Sequence, residues 1–256
     1  MTAMTPLLMS LAAFVCIFGG TFLGIFVRRK LPDHHLSGDT KDVVRQGTAL
    51  IATLASLVLG LLIASANGRY EAESSQIKQL IAHVILLDNT LVLFGPDAEA
   101  VRALLRSDVG IAAARIWSEG QPVFASQRPF HADAQSLAIY DEVLKLAPKT
   151  DAQRFYQSRA MDALIEIGKT RLLLFTSTTG SIPIPFLIVL VGWLALIFAS
   201  ISLFAESNAR TVTILCIFSL AASAAIFLIL ELSQPFAGLM RISDEPLRNA
   251  LVALPR

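Results

Sequence analysis

The sequence predicts an all-α polytopic membrane protein, with four transmembrane helices arranged two and two around a helical extramembrane bundle. Three observations predict it. Of 256 residues, 54% are hydrophobic and only 16% are charged, with a mean hydropathy of +0.62, whereas soluble domains carry about 25% charge. The charge is missing from four windows, 6–27, 47–67, 180–205 and 211–230, each near or above the ~20 residues that cross a bilayer. Between the second and third windows lies a polar stretch, 68–180, with 12 basic and 13 acidic residues. Backbone amides in lipid must be satisfied within their own segment, so each window is a helix. Four such helices in a soluble protein would leave too little polar chain to coat them. The expected regions are 1–67 (spans one and two), 68–180 (the bundle), 181–231 (spans three and four) and a tail, 232–256.

The first window is a retained helix rather than a signal peptide. No Lys or Arg precedes it, no A-x-A cleavage site follows, and the basic cluster Arg28-Arg29-Lys30 comes after it. Gly19, Gly20 and Gly24 give it a face for close packing. The polar connection 28–46 holds His34 and His35 beside Asp33, Asp39 and Asp42. Adjacent histidines diverge, and no third ligand stands at helical spacing, so a solvated loop is expected rather than a metal site.

No proline interrupts 47–94, which reads as one helix, roughly 70 Å long at 1.5 Å per residue, that leaves the bilayer and continues into water. Its membrane half carries a leucine stripe, Leu50, Leu54, Leu57 and Leu61, beside a small-residue stripe, Thr53, Ser56, Gly60, Ala64 and Asn67. The small face fits helix packing and the leucines fit lipid. Alternatively, one of these faces lines a pore, since apolar constrictions gate channels. Beyond Arg69, apolar residues at Ile77, Leu80, Val84, Leu87, Leu91 and Phe94 form a seam with gaps of three and four. That seam requires a partner, in this chain or another copy.

Gly95-Pro96 ends the long helix, and Asp97 is placed to cap the next, whose buried side is Val101, Leu104, Leu105, Ala112 and Ile116. A break at 120–129 precedes a short helix over 133–146, expected to be buried through Leu137, Tyr140 and Leu144. Pro148 stops it. Thr150-x-x-Gln153 then fits a capping box. The helix it starts is buried through Tyr156, Ala160, Ala163 and Ile167 and runs toward the membrane past Lys169 and Arg171. The run 176–185 is a hinge back into the bilayer. Trp193 lies mid-span, which suggests a protein-facing ring. The tight connection 206–210 makes spans three and four an antiparallel hairpin. Cys16 and Cys216 both fall inside spans, so no disulfide framework is expected.

No phosphate loop, Cys/His cluster, H-E-x-x-H or G-x-S-x-G occurs, so no enzyme, cofactor or metal is expected. A net charge of +1 gives no bulk attraction to nucleic acid. Glu231 closes the fourth window, and an acid at a span end needs a partner, for which Arg241 and Arg171 are the candidates. Otherwise it anchors the helix end at the interface.

The tail carries the most distinctive residues, Glu231, Pro235, Phe236, Gly238, Arg241, Ser243, Asp244, Glu245, Pro246 and Leu247, with Ser243 placed to cap a short last helix. This tail resembles the C-terminal signature of the bestrophin-like domain family of bacterial and plant membrane proteins. The resemblance extends through Asn67, Arg69 and Tyr70, then Arg171, Trp193 and Asn208. It implies a multi-pass protein of a bacterial inner membrane and a layout like that of the bestrophins, which are oligomeric anion channels. The acidic calcium clasp of animal bestrophins is missing, so no calcium site is expected. Span two is aliphatic where bestrophins have an aromatic neck.

Two functions stay open. One is a homo-oligomeric channel with anions as permeant and span two lining the pore. The other is a non-conducting membrane scaffold or sensor whose bundle binds a protein. Positive charge in the connections 28–46 and 206–210 would place the bundle outside the cell. The family layout places it in the cytosol, and the expectation follows that layout.

Overall fold

The computed structural model describes residues 4–30, 38–118, 134–177, 184–205, 208–236, 239–243 and 245–253. Of these, 91% are helical and none is in a strand, as an all-α chain requires. The helices are α1 (Met4–Lys30), α2 (Gly38–Phe94), α3 (Glu99–Ser118), α4 (Ala134–Lys145), α5 (Asp151–Ser177), α6 (Ile184–Phe204), α7 (Ala209–Leu232) and α8 (Glu245–Ala253), with a 3-10 turn at Pro96–Ala98. Four of them, α1, α2, α6 and α7, are long and apolar enough to cross a membrane. The chain divides into two compact units, Met1–Arg69 with Ile182–Gln234, and Tyr70–Ser181 with Pro235–Arg256.

In the spanning unit, α1 packs against α6 and α7. A Cβ on Gly20 would collide with the Ala195 carbonyl, and one on Gly24 with the Ala199 carbonyl and the Ser202 side chain. Successive contacts of 20 with 195 and 24 with 199 make α1 and α6 parallel. This is the close approach that glycines four apart permit. Gly19 faces open space and takes no part. At the far end of the pair, the Arg28 guanidinium donates to the Ala205 carbonyl and satisfies an orphan acceptor just past the end of α6. Ser202, Ser219 and Ser223 bond carbonyls of their own helices, at 2.7, 2.8 and 2.9 Å.

The bundle unit is built on the α2 seam. Ile77, Val84, Leu87, Leu91 and Phe94 are buried, and Leu80 is half-buried. Their partners are in the same chain: Val101, Leu105 and Val109 of α3, Ile139 and Val143 of α4, and Ala160, Ala163, Leu164 and Ile167 of α5. The tail joins this core through Phe236, Ile242 and Leu247. Gly95 sits at φ 116°, ψ −171°, a region open in practice to glycine alone. Gln153 serves two helix ends. Its Oε1 accepts from the Lys149 amide at 2.7 Å and its Nε2 donates to the Phe94 carbonyl at 3.0 Å, while the Thr150 hydroxyl accepts from the Gln153 amide at 3.2 Å. The box therefore reaches one residue further back than its usual form. Ser243 accepts from the Glu245 amide at 3.2 Å at the start of α8.

Several expectations are corrected. The helix α2 starts at Gly38, nine residues before 47, and Arg28–Lys30 belong to α1. No proline lies in 38–46, and the helix extends into polar sequence that water satisfies equally well. His34 and His35, the break 120–129, and most of the hinge lie outside the described residues. Asp97 caps nothing; it lies within the 3-10 turn and pairs with Lys149 at 2.9 Å. In α4, Leu137 and Leu144 are exposed, while Ile139 and Val143 are buried. Both stripes are apolar at helical spacing, and the β-branched one won.

Candidate functional site

Two places merit description, one in each unit. In the spanning unit, α2 turns Ala55, Leu62 and Ala66 inward, at 3%, 9% and 0% exposure. The leucine stripe points away from the rest of the chain, with Leu50, Leu54, Leu57 and Leu61 at 64%, 42%, 66% and 69%. Thr53, Ser56, Gly60, Ala64 and Asn67 are exposed as well, and a Cβ on Gly60 would meet nothing. The small face is thus not the face this chain buries. Thr53 and Ser56 return their hydroxyls to their own helix at 3.0 and 2.8 Å. Both stripes are left for lipid, a second copy or an aqueous path.

The bundle unit holds two buried ion pairs. Arg102 of α3 forks onto Asp88 of α2 with Nε–Oδ1 2.9 Å and Nη2–Oδ2 3.2 Å. The hydrogen bond to Asp88 raises the guanidinium further above its ordinary pKa, against the opposing effect of burial. Arg171 of α5 meets Asp108 of α3 at 2.6 Å. Beside it, the Tyr140 hydroxyl donates to the Leu164 carbonyl at 2.7 Å. Burial raises the Tyr140 pKa, and the nearby Arg171 charge pulls it the other way. Gly168 makes room for that hydroxyl, since a Cβ there would stand 3.1 Å from it. Asp108, Arg171, Tyr140 and Gly168 line a cavity of about 40 Å³, enough for a water molecule.

On the outer side of the same unit a groove of about 420 Å³ runs between α2 and α5. Leu86 and Leu93 of α2 and Phe155 of α5 form its exposed apolar walls. His83, Arg159, Asp162 and Glu166 form its polar rim. The hydrogen bond from Lys169 lowers the Glu166 carboxyl below its ordinary pKa; burial opposes this, and the Lys169 charge and His83 add to it.

The remaining sequence candidates are dispersed. Arg69, Tyr70 and Trp193 are half-buried, with Tyr70 against the bundle core. Asn208 is the residue before α7, and its carbonyl accepts from Val212 at 3.2 Å. Glu231 is 2% exposed, a buried group rather than a surface anchor. Of the two arginines named as candidates from the sequence, Arg241 is exposed and Arg171 is half-buried. Pro235 is buried, the Pro235 carbonyl accepts from Ile242 at 2.8 Å, and Pro246 is exposed; Gly238 lies outside the described residues. Sequence reasoning missed Asp88 and Asp108. The available signal was position: Asp108 falls on the face marked by Val101 and Leu105, and Asp88 sits beside Leu87 in the seam. Among the described residues, no three His, Cys, Asp or Glu side chains cluster as metal ligands.

A family model described as the Bestrophin-like domain matches residues 15–247. Comparison with curated proteins and with solved structures gave no match.

Proposed function

This chain belongs to the bestrophin-like domain family and is a multi-pass membrane protein, and from that premise we propose that it is a homo-oligomeric anion channel of a bacterial inner membrane, with α2 lining the pore. In this reading it catalyses no reaction, and its bundle lies in the cytosol. One observation carries the proposal: the Leu50, Leu54, Leu57 and Leu61 stripe stays 42–69% exposed on a continuous helix whose other side is packed. A ring of copies would turn such stripes toward a common axis, where an aliphatic constriction gates by excluding water. The unused small face beside it, centred on Gly60, would meet the neighbouring subunit. The test is chloride flux from vesicles holding the purified chain. Replacing Leu54 and Leu57 with alanine should raise flux severalfold. No flux in any anion from folded protein, in either form, would remove the channel reading.

A second reading has an observation of its own. The groove between α2 and α5, walled by Leu86, Leu93 and Phe155, is the kind of surface that takes the apolar face of a partner helix. A non-conducting scaffold or sensor would use it. Charged substitutions at Leu86 and Leu93 would then abolish partner binding, and the purified chain would carry no flux in either form.

A further inference from the structure

The two ends of the spanning unit carry different charge. At one end, the Arg28 bond to the Ala205 carbonyl brings the C-terminus of α1 beside the end of α6, and hence beside Asn208 and the start of α7. Arg29, Lys30, Arg45 and Arg210 stand at this end, where the apolar windows stop. Arg29, Lys30, Arg45 and Arg210 are all exposed. None of the four has an ion pair or a hydrogen bond among the described residues. Seven cations of the bundle unit, by contrast, are paired with acids: Arg102, Lys145, Lys149, Arg154, Arg159, Lys169 and Arg171.

Among the described residues, the acid nearest this end is displaced outward. Asp42 precedes Arg45 on α2 by three residues, which places it roughly 5 Å further from the hydrocarbon on a helix perpendicular to it. Among the described residues the layer level with lipid phosphates therefore holds cations, and in the sequence Arg29, Lys30, Arg45 and Arg210 outnumber Glu206, the acid that follows Ala205. Lys30 lies over the Phe26 ring, its Nζ 4.7 Å from the centroid, with an apolar body below and a charge above, as interfacial side chains do.

We propose that this end of the spanning unit binds the phosphate headgroups of anionic phospholipids, with Arg29, Lys30, Arg45 and Arg210 as the contacting residues. Charge complementarity and depth select the occupant. Exposed cations at phosphate level meet anionic lipid in the bilayer that the spans already occupy. The arginines offer a planar fork that fits phosphate oxygens, which the point charge of Lys30 complements.

The test uses the full chain in vesicles of equal phosphatidylglycerol and phosphatidylcholine. Spin-labelled forms of each lipid report their relative occupancy at the protein boundary. The wild type should prefer phosphatidylglycerol. Each single change among Arg29→Gln, Lys30→Gln, Arg45→Gln and Arg210→Gln should lower the preference about twofold to fivefold. The quadruple variant should show none, and high salt should weaken the wild-type preference. Arg29→Lys should retain most of it, which separates charge from a folding defect, and Arg159→Gln in the bundle should leave it unchanged. Equal occupancy of the two lipids around the wild type, or an undiminished preference in the quadruple variant, would overturn the proposal. Abolition of the preference by millimolar glycerol phosphate would overturn it too, by showing a site for free phosphate.

Discussion

The two units use the same kind of element and hold it together by different means. In the spanning unit the closest contacts are between backbones: Gly20 and Gly24 let α1 lie against the carbonyls of Ala195 and Ala199. In the bundle unit the decisive contacts are between large side chains, Leu87, Leu91, Val101, Val143 and Leu174 among them, all nearly free of solvent. The solvent explains the contrast. Apolar side chains leaving water gain about 25 cal/mol per Å². In lipid they gain nothing by leaving hydrocarbon, and close van der Waals contact is what remains. Many leucines are accordingly exposed on α1, α2, α6 and α7, and the closest approach is made at glycines, although Ile17, Leu190, Ile226 and Ile229 are fully buried between the helices.

The sharpest way to break this comparison is to give the spanning unit large side chains at its contact. Gly20→Leu with Gly24→Leu should cost about 5 kcal/mol or more, since backbone cannot move aside as a side chain can. Amide exchange should rise through Met4–Lys30 and Ile184–Phe204. If α1 stays protected, the contact is not what holds it. The corresponding change in the bundle targets its buried charge. Asp88→Ala leaves Arg102, 10% exposed, with only the solvent-exposed Glu99 carboxylate at 3.3 Å as a partner, and should cost about 3 kcal/mol. The double change Asp88→Leu with Arg102→Met should recover most of that loss in denaturant melts, because an apolar pair suits this core. A double variant as weak as the single one would show that the ion pair itself stabilises the unit.

The smallest effect concerns Tyr140. Replacement by Phe removes one hydrogen bond to Leu164 and should cost about 1 kcal/mol near neutral pH. Its folded pKa is raised above an unfolded value of about 10. Its contribution is therefore fully present below about pH 10 and is lost as pH rises through the higher folded value. Stability measured from pH 9 upward should fall less steeply in Tyr140→Phe than in the wild type; identical slopes would contradict the burial of that hydroxyl.

The membrane spans, the α2 seam and the caps at Thr150 and Ser243 were legible because each rests on a local rule. Hydropathy, a spacing of three and four, and a hydroxyl before a helix all act within a few residues. Three things were not legible. The start of α2 at Gly38 was hidden because polar sequence without proline is as consistent with a loop as with a helix in water. The buried side of α4 was hidden because two apolar stripes compete, and only the neighbouring helices choose Ile139 and Val143 over Leu137 and Leu144. The pairing of Asp108 with Arg171 spans 63 residues, and no local rule reaches that far. The candidate site was legible in part. The leucine stripe was named from its spacing, but that it stays uncovered while Ala55 and Ala66 are buried is a property of the folded chain.

The glycine contact also has a consequence in time. Gly24 is translated 175 residues before Ala199, the residue whose carbonyl it must meet. At a synthesis rate of 5–20 residues per second, that interval is roughly 9–35 s. Throughout it α1 resides in the membrane without its seat, its glycine face turned to lipid while the whole bundle is made. A helix that enters before the bundle is made is thus fixed in place only after it, and any factor that shields a bare glycine face would act in that interval.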